Sequence, residues 1–474
     1  FTPLAQMILR YWTFICWNHD MEEFNPEWFV NRLHDRSARG LARQISALIQ
    51  SGTLPVGTRL PSIRDLAFGL GISPATVSIA WTDLRKRGII AGRGRRGMHV
   101  CNMFLSPRPV RRTASLSSEN VSLNLTSYTP DPVRLPHLSD AFEALTSIPN
   151  LNTYNDETIS PALRAICAAH WPYPAEDFMA TNGAYSALFD TMQALIPPGS
   201  TVAVQDPAPM RILDILDYLS TSILPLQSDT DGILPASLAQ ALARNPTALY
   251  LQPNINAITG QRMSRARLHE LAQILRTSPS TWIIEDDAFP WFSGVPAESI
   301  GVWLGPRVIH VRSLSKILGP DLRLGIVSAS SMIIREIQAY RSFGPVWTSR
   351  LLQTVAARLL ENEKTHQTIH GNYRHHQEQR HEMTSALRHN GIDIPTGEGF
   401  SFWIPVLNDE AACASLASQN IRVSAGHQCS LLAPSHIRFS ISHLSGDFER
   451  IAAAIQRAAR KTASPAEQSD RKPV

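Results

Sequence analysis

Ser313-Leu314-Ser315-Lys316-Ile317-Leu318-Gly319-Pro320-Asp321-Leu322-Arg323-Leu324-Gly325 follows the apolar run Val308 to Val311, which reads as a buried strand. Most lysines are solvated surface charges. A lysine just past a strand, with hydroxyls three and one residues before it and an arginine seven residues after it, has the parts of a Schiff-base amine beside a phosphate-binding cluster. Further apolar runs at Thr201 to Val204, Ala248 to Leu251 and Trp282 to Ile284 alternate with helical periodicity. Over residues 121–461 that alternation predicts an α/β unit, a mainly parallel sheet covered by helices. Asp286 follows the third of these runs, and Asp287 after it reads as a turn or cap residue.

Outward from this body, the chain changes character. Residues 31–100 hold twelve Arg or Lys against three acids, a local charge of +9 in a chain whose formal net charge is only +4. A small basic segment on a mildly acidic body is the charge distribution of a nucleic-acid-binding module joined to a ligand-binding one. Leu41, Ile45, Leu48 and Ile49 recur at helical spacing between Ser37 and Gln50. Ser62 with Asp65 three residues on, and Ser73 followed by Pro74, are two further helix starts, separated by the turn Gly69 to Ile72. Ile89-Ile90 and Met98-His99-Val100 read as short strands flanking a basic wing, Gly92 to Gly97. The pattern is a winged helix-turn-helix over residues 31–103, in which the third helix enters the major groove by its N-terminal residues. Ser73, Thr76 and Ser78 sit there, Arg64 lies early on the preceding helix, and Arg93, Arg95 and Arg96 lie in the wing, where phosphate and minor-groove contacts favour arginine. Arg85, Lys86 and Arg87 complement the dipole at the end of the third helix.

Residues 104–120, rich in Pro, Ser and Arg, read as a linker, and residues 462–474 as a disordered tail. Residues 1–30 are assigned to an N-terminal extension, of which 1–20, beginning at Phe1 ahead of Met21, read as an upstream extension outside the fold. The apolar stretch Leu4 to Trp17 is interrupted by Arg10 and is shorter than the roughly 20 residues that span a bilayer, so no membrane association is expected. Five scattered cysteines without a C-x-x-C pair indicate neither a disulfide framework nor a metal site, and fit a cytoplasmic protein.

The stretches G-T-L-P-V-G-T-R-L-P-S-I-R-D-L-A (52–67) and G-I-S-P-A-T-V-S-I-A-W-T-D-L-R-K-R-G-I-I (71–90) closely resemble the GntR family of winged-helix regulators, with Pro74 where many members carry a base-reading arginine. The spacing S-x-S-K-x-L-x-P-x-x-R-x-G, with the rest of the body, resembles fold-type-I pyridoxal-phosphate enzymes of the aminotransferase superfamily. The resemblance implies pyridoxal 5'-phosphate as cofactor, Lys316 as its Schiff-base lysine, and Ser313 and Arg323 as phosphate ligands. It further implies Asp286 at the pyridine nitrogen, and Gly183, Ala184 and Tyr185 as the loop whose amides meet the phosphate. Tyr154 then reaches a neighbouring subunit's phosphate, and Arg438 grips an amino acid's carboxylate. Three departures stand beside these matches: Ala257 and Phe289 replace the two donors to the cofactor's phenolic oxygen, and Pro209 replaces a stacking aromatic.

The order of the two modules is that of the MocR regulators. That resemblance implies a head-to-tail homodimer that binds double-stranded operator DNA and senses a vitamin B6 vitamer, or an amino compound forming an aldimine with the cofactor. The alternatives are an active aminotransferase carrying a DNA-binding domain, and a body that binds another ligand without cofactor.

Overall fold

The computed structural model describes residues 24–92, 97–101, 109–112, 122–148, 151–154, 157–433 and 435–460. The chain divides into two compact units, Phe1–Val110 and Arg111–Val474.

In the first unit, α1 (Pro26–Val30), α2 (Ala38–Gln50), α3 (Ile63–Leu70) and α4 (Pro74–Lys86) precede a two-stranded antiparallel pair, β1 (Ile90–Ala91) and β2 (His99–Val100). Three of the helix starts are fixed by serines, because Ser37, Ser62 and Ser73 accept from the backbone N–H groups of Gly40, Asp65 and Thr76 that the first helical turn leaves unpaired. Gly71 ends α3 in the left-handed conformation, φ 65°, which turns the chain into α4. The core joins Leu41, Ile45 and Ile49 of α2 to Leu66, Leu70, Val77, Trp81 and Leu84. Phe29 of α1 and Leu33 are fully buried in the same core, so a helix lying before residue 31 contributes to this unit. The wing arginines Arg93, Arg95 and Arg96 lie outside the described residues, as does the tail 462–474.

The second unit is built on a sheet of seven strands among the described residues. In chain order these are β3 (Asp177–Thr181), β4 (Thr201–Gln205), β5 (Ser222–Leu226), β6 (Ala248–Leu251), β7 (Trp282–Asp287), β8 (Val308–Ser313) and β9 (Gly325–Ala329). Their spatial order is β3-β9-β8-β7-β6-β4-β5, with β9 antiparallel to its two neighbours and the other pairs parallel, the mainly parallel α/β sheet expected from the sequence. Helices α5 (Ala184–Leu195) and α6 (Met210–Tyr218) follow β3 and β4, and their apolar residues pack with one face of the sheet. A second core covers the other face. A 27-residue helix, α7 (Glu363–His389), leads to a three-stranded sheet of β10 (Ser401–Pro405), β11 (Ser424–Ala425) and β12 (His436–Ser440), closed by α8 (Phe448–Ala459) around a third core.

Strand β7 extends three residues beyond the apolar run that reveals it, through Glu285, Asp286 and Asp287. This corrects the reading of Asp287 as a turn or cap residue. Successive strand residues point to opposite faces, so Asp286 and Asp287 diverge. Asp287 sits opposite Arg312 in the β7–β8 register and accepts from its Nε at 3.1 Å, with its pKa held below the usual carboxylate value by His310 and Arg312 against the opposing effect of burial. Acids can occupy this strand because each has a buried partner: Glu285 likewise accepts from Ser299 at 2.5 Å and from the backbone N–H of Ile300 at 2.7 Å.

Candidate functional site

Lys316 lies in the turn after β8, and its Nζ donates to the carbonyl of Tyr128 at 3.2 Å. The amine stands 4.3 Å from the centre of the Tyr128 ring and 5.2 Å from that of Phe289. Burial, with Arg438 adding to it, pulls the Lys316 pKa down to about 8, so an appreciable fraction of the amine is neutral and nucleophilic near neutrality. Asp286 is near enough to act on that amine electrostatically, and burial pushes its own carboxyl up to about 6. Tyr250 and Gln252 both donate to Asp286 Oδ2, at 2.7 and 2.9 Å. Gln252 is itself fixed, since its Oε1 accepts from Ala257 N–H and its backbone N–H donates to Gln205. Both donors use one carboxyl oxygen, so the other remains for a ligand.

At the far end of the site β3 turns into α5. Gly183 is the N-cap at φ 93° and has no side chain to bond the first-turn N–H groups, so these point outward as an anion-binding end. Arg323, itself at φ 49°, lies over this turn: a Cβ at Gly183 would come within 2.7 Å of Arg323 Nη2. A Cβ at Gly325 would stand 2.6 Å from the Ala184 nitrogen, so this glycine is what lets β9 close against the helix start. Arg211, from the first turn of α6, stacks on Tyr185 with its guanidinium carbon 4.0 Å from the ring centre. Burial, then the like charges of Arg112 and Arg323, hold the Arg211 pKa below the usual value for arginine. Ser313 ends β8 opposite Gly325, adjoining the same turn.

Arg438 on β12 is buried, donates from Nη2 to the Thr126 carbonyl at 2.6 Å, and stands 5.4 Å from the centre of the Tyr128 ring. The structure thus gathers Lys316, Asp286, Arg438, Tyr185, Gly183, Ala184, Arg323 and Ser313 at one end of the sheet. Tyr154 is not brought there within one chain: it is 92% exposed, with its ring against Trp347.

Four residues of this site escaped the sequence reading. Tyr250 and Gln252 looked like the end of an apolar strand, Tyr128 lies in an irregular segment, and Arg211 is one of many arginines. Only the period-2 alternation of β6, which puts Tyr250 and Gln252 on one face with Asp286 of the adjacent β7, could have flagged the first two.

In the first unit, Ser73 and Thr76 bond each other: the Thr76 N–H donates to Ser73 Oγ at 3.2 Å and their hydroxyls are 2.9 Å apart. Ser73 therefore acts as the cap of α4. Ser78 and Arg64 are exposed, as is Ile79 beside Ser78. Arg59, which the sequence reading did not single out, bridges to His99 and lies against Gly97 at the base of the wing.

Residues 120–455 match the model of aminotransferase class I and II, and residues 37–100 that of the bacterial regulatory proteins, gntR family. Among curated relatives, the vitamin B6 salvage pathway transcriptional repressor PtsJ of Salmonella typhimurium is 30% identical over 430 residues, covering 89% of this chain and 98% of the relative. The HTH-type transcriptional regulator TauR of Rhodobacter capsulatus is 24% identical, covering 87% and 91%. Among solved structures, the α-aminoadipate aminotransferase LysN of Thermus thermophilus aligns with TM-score 0.65 at 21% identity, over 74% of this chain and 94% of its own. A kynurenine aminotransferase of Pyrococcus horikoshii aligns with TM-score 0.66 at 20% identity, over 74% and 93%.

Proposed function

The chain belongs to the aminotransferase class I and II family and carries a gntR-family domain ahead of it, the MocR arrangement of transcription regulators, and from that premise we propose that its body is a pyridoxal-phosphate sensor controlling DNA binding. The observation that supports the cofactor most directly is the combination, in one site, of an amine pushed down to about 8, a buried acid pushed up to about 6, and an uncapped helix start overlain by arginine. These residues fit the group. Lys316 would hold its carbonyl carbon, Asp286 its ring nitrogen through the free carboxyl oxygen, and Arg323, Arg211, Ser313 and the first-turn amides of α5 its phosphate. When bound, pyridoxal phosphate supplies an electrophilic carbon for primary amines and a ring that withdraws electrons from that carbon.

The chain's own groups do the rest. Lys316 gives up a proton near neutrality, because burial disfavours its charged form. Asp286 would accept from a protonated ligand nitrogen, and Tyr250 and Gln252 fix the carboxyl's orientation. Arg438 offers a guanidinium to a carboxylate. Ala257 and Phe289 offer no hydrogen-bond donor and Pro209 no stacking ring where the resemblance to the enzymes implies them, so binding is retained while transition-state stabilisation is weakened. Turnover is not needed for sensing. The effector is then a vitamin B6 vitamer, in keeping with the name of the Salmonella relative as a repressor of the vitamin B6 salvage pathway, or an amino acid held by Arg438.

Ser78, Thr76 and Arg64, with Arg93, Arg95 and Arg96, carry the contact with operator DNA, and a head-to-tail homodimer brings Tyr154 to the neighbouring subunit's phosphate site. The test is to measure affinity for DNA from upstream of the protein's own gene, with and without pyridoxal phosphate and a panel of amino acids, while assaying keto acid. We expect a ligand-dependent shift of about 5- to 150-fold, the usual range of allosteric coupling, with little keto acid. Rapid multiple-turnover transamination, with DNA affinity indifferent to every ligand, would overturn the sensor in favour of an enzyme.

A further inference from the structure

The Tyr128 hydroxyl is buried and has no hydrogen-bond partner, and the Nε of Arg438, 5.4 Å from the Tyr128 ring by its guanidinium carbon, is likewise buried and unpaired. Two unpaired buried donors so near one another are costly unless something accepts from them. Around the Tyr128 ring stand the Lys316 amine, 4.3 Å from its centre, and Phe289 and Phe400, whose rings meet it edge-on at 5.6 and 5.8 Å. Phe289 and Phe400 offer no acceptor, and the Tyr128 carbonyl is taken by Lys316. Two cations, an unpaired phenol and hydrophobic walls form a receptor for an anionic oxygen.

We infer that Tyr128 is a ligand-contacting residue whose hydroxyl donates a hydrogen bond to an anionic oxygen held between Lys316 and Arg438. This rests on the proposed sensor site and adds to it a donor absent from the sequence signature. Burial raises the Tyr128 pKa far above its ordinary value, so the group stays protonated and serves as a donor, not as a base. The oxygen comes either from the cofactor ring or from the carboxylate of an amino acid. Both present the same chemistry, and both fit a phenol beside an arginine.

The experiment uses the full-length protein and Tyr128→Phe, which keeps the ring and its contacts with Lys316, Phe289 and Phe400 and removes only the hydroxyl. Pyridoxal phosphate is titrated first; amino acids and their decarboxylated amines are then titrated into the loaded protein. A charge-assisted hydrogen bond predicts about a tenfold or greater loss of affinity. A loss already present with pyridoxal phosphate alone places the oxygen on the cofactor. A loss confined to amino acids, with their amines unaffected, places it on the carboxylate. Thermal melting of the ligand-free proteins separates binding from folding, because removing an unpaired buried hydroxyl leaves stability unchanged or raises it. If wild type and Tyr128→Phe bind pyridoxal phosphate and every amino acid equally, the inference fails while the sensor reading stands. If wild type binds no pyridoxal phosphate, both fail.

Discussion

Replacing Asp286 with Asn tests the physical premise of the site in the protein without ligand. The carboxyl is buried and titrates near 6, against 3.8 for an ordinary aspartate. Between those values the folded protein keeps a proton that the unfolded chain has released, so stability falls as pH rises through this window. At about 1.4 kcal/mol per pH unit of difference, the ionised carboxylate costs the folded state about 3 kcal/mol by about pH 7. Asparagine keeps an oxygen to accept from Tyr250 and Gln252 and has no proton to lose. The stability of Asp286→Asn relative to wild type should therefore rise by about 3 kcal/mol between roughly pH 4 and pH 7, and then level off. Urea unfolding at fixed pH values, without ligand, reads this directly, and groups that Asp286 does not act on cancel in the difference, while Lys316, whose pKa Asp286 raises, adds its own change at higher pH. Added pyridoxal phosphate should reverse the order, because wild type gains the ring-nitrogen contact and the variant does not. Parallel pH profiles for the two proteins would refute the reasoning, as would a variant less stable than wild type at pH 8 without cofactor.

Lys316→Ala should abolish the adduct that borohydride fixes on the wild-type protein, with peptide mass analysis locating that adduct on Lys316; because the amine titrates near 8, the rate of adduct formation should rise with pH up to about that value and fall about tenfold per unit below it. Arg211→Gln should weaken binding of pyridoxal phosphate while leaving dephosphorylated pyridoxal unchanged, as measured by competitive titration, since Arg211 is assigned to the phosphate end. Arg64→Ala should lower DNA affinity and reduce the slope of log affinity against log salt by about one, as read by fluorescence anisotropy across a salt series. Arg111→Ala removes charge-assisted bonds to Asp214 and Asp217 at 3.3 and 2.6 Å and should cost the body about 1.5–3 kcal/mol in urea unfolding, with earlier proteolytic cleavage near residue 111.

The sheet could be read from the sequence because its strands are short apolar runs, and the helix starts of the first unit because serine caps are local. Lys316, Arg323 and Ser313 were visible for a similar reason: the end of β8 and the segment after it carry all three at fixed spacing. What the sequence hid depends on distance along the chain or on compensation between charges. Strand β7 seemed to stop at Ile284 because Glu285 and Asp287 break the apolar pattern, and only the structure shows Ser299 and Arg312 waiting for them. Tyr128 meets Lys316 across 188 positions, beyond any spacing rule. Arg211 acquires its meaning from Tyr185 and Arg323, and also from its own helix. On α6 it stands one turn before Asp214, which accepts from the backbone N–H groups of Arg111 and Arg112 at 3.1 and 3.2 Å. Thus α6 carries, on neighbouring positions, the arginine assigned to the ligand's phosphate and the aspartate that anchors the first residues of the body. Asp214 and Arg112 both act electrostatically on Arg211, so a negative charge arriving at Arg211 would be felt at the residues that hold positions 111 and 112.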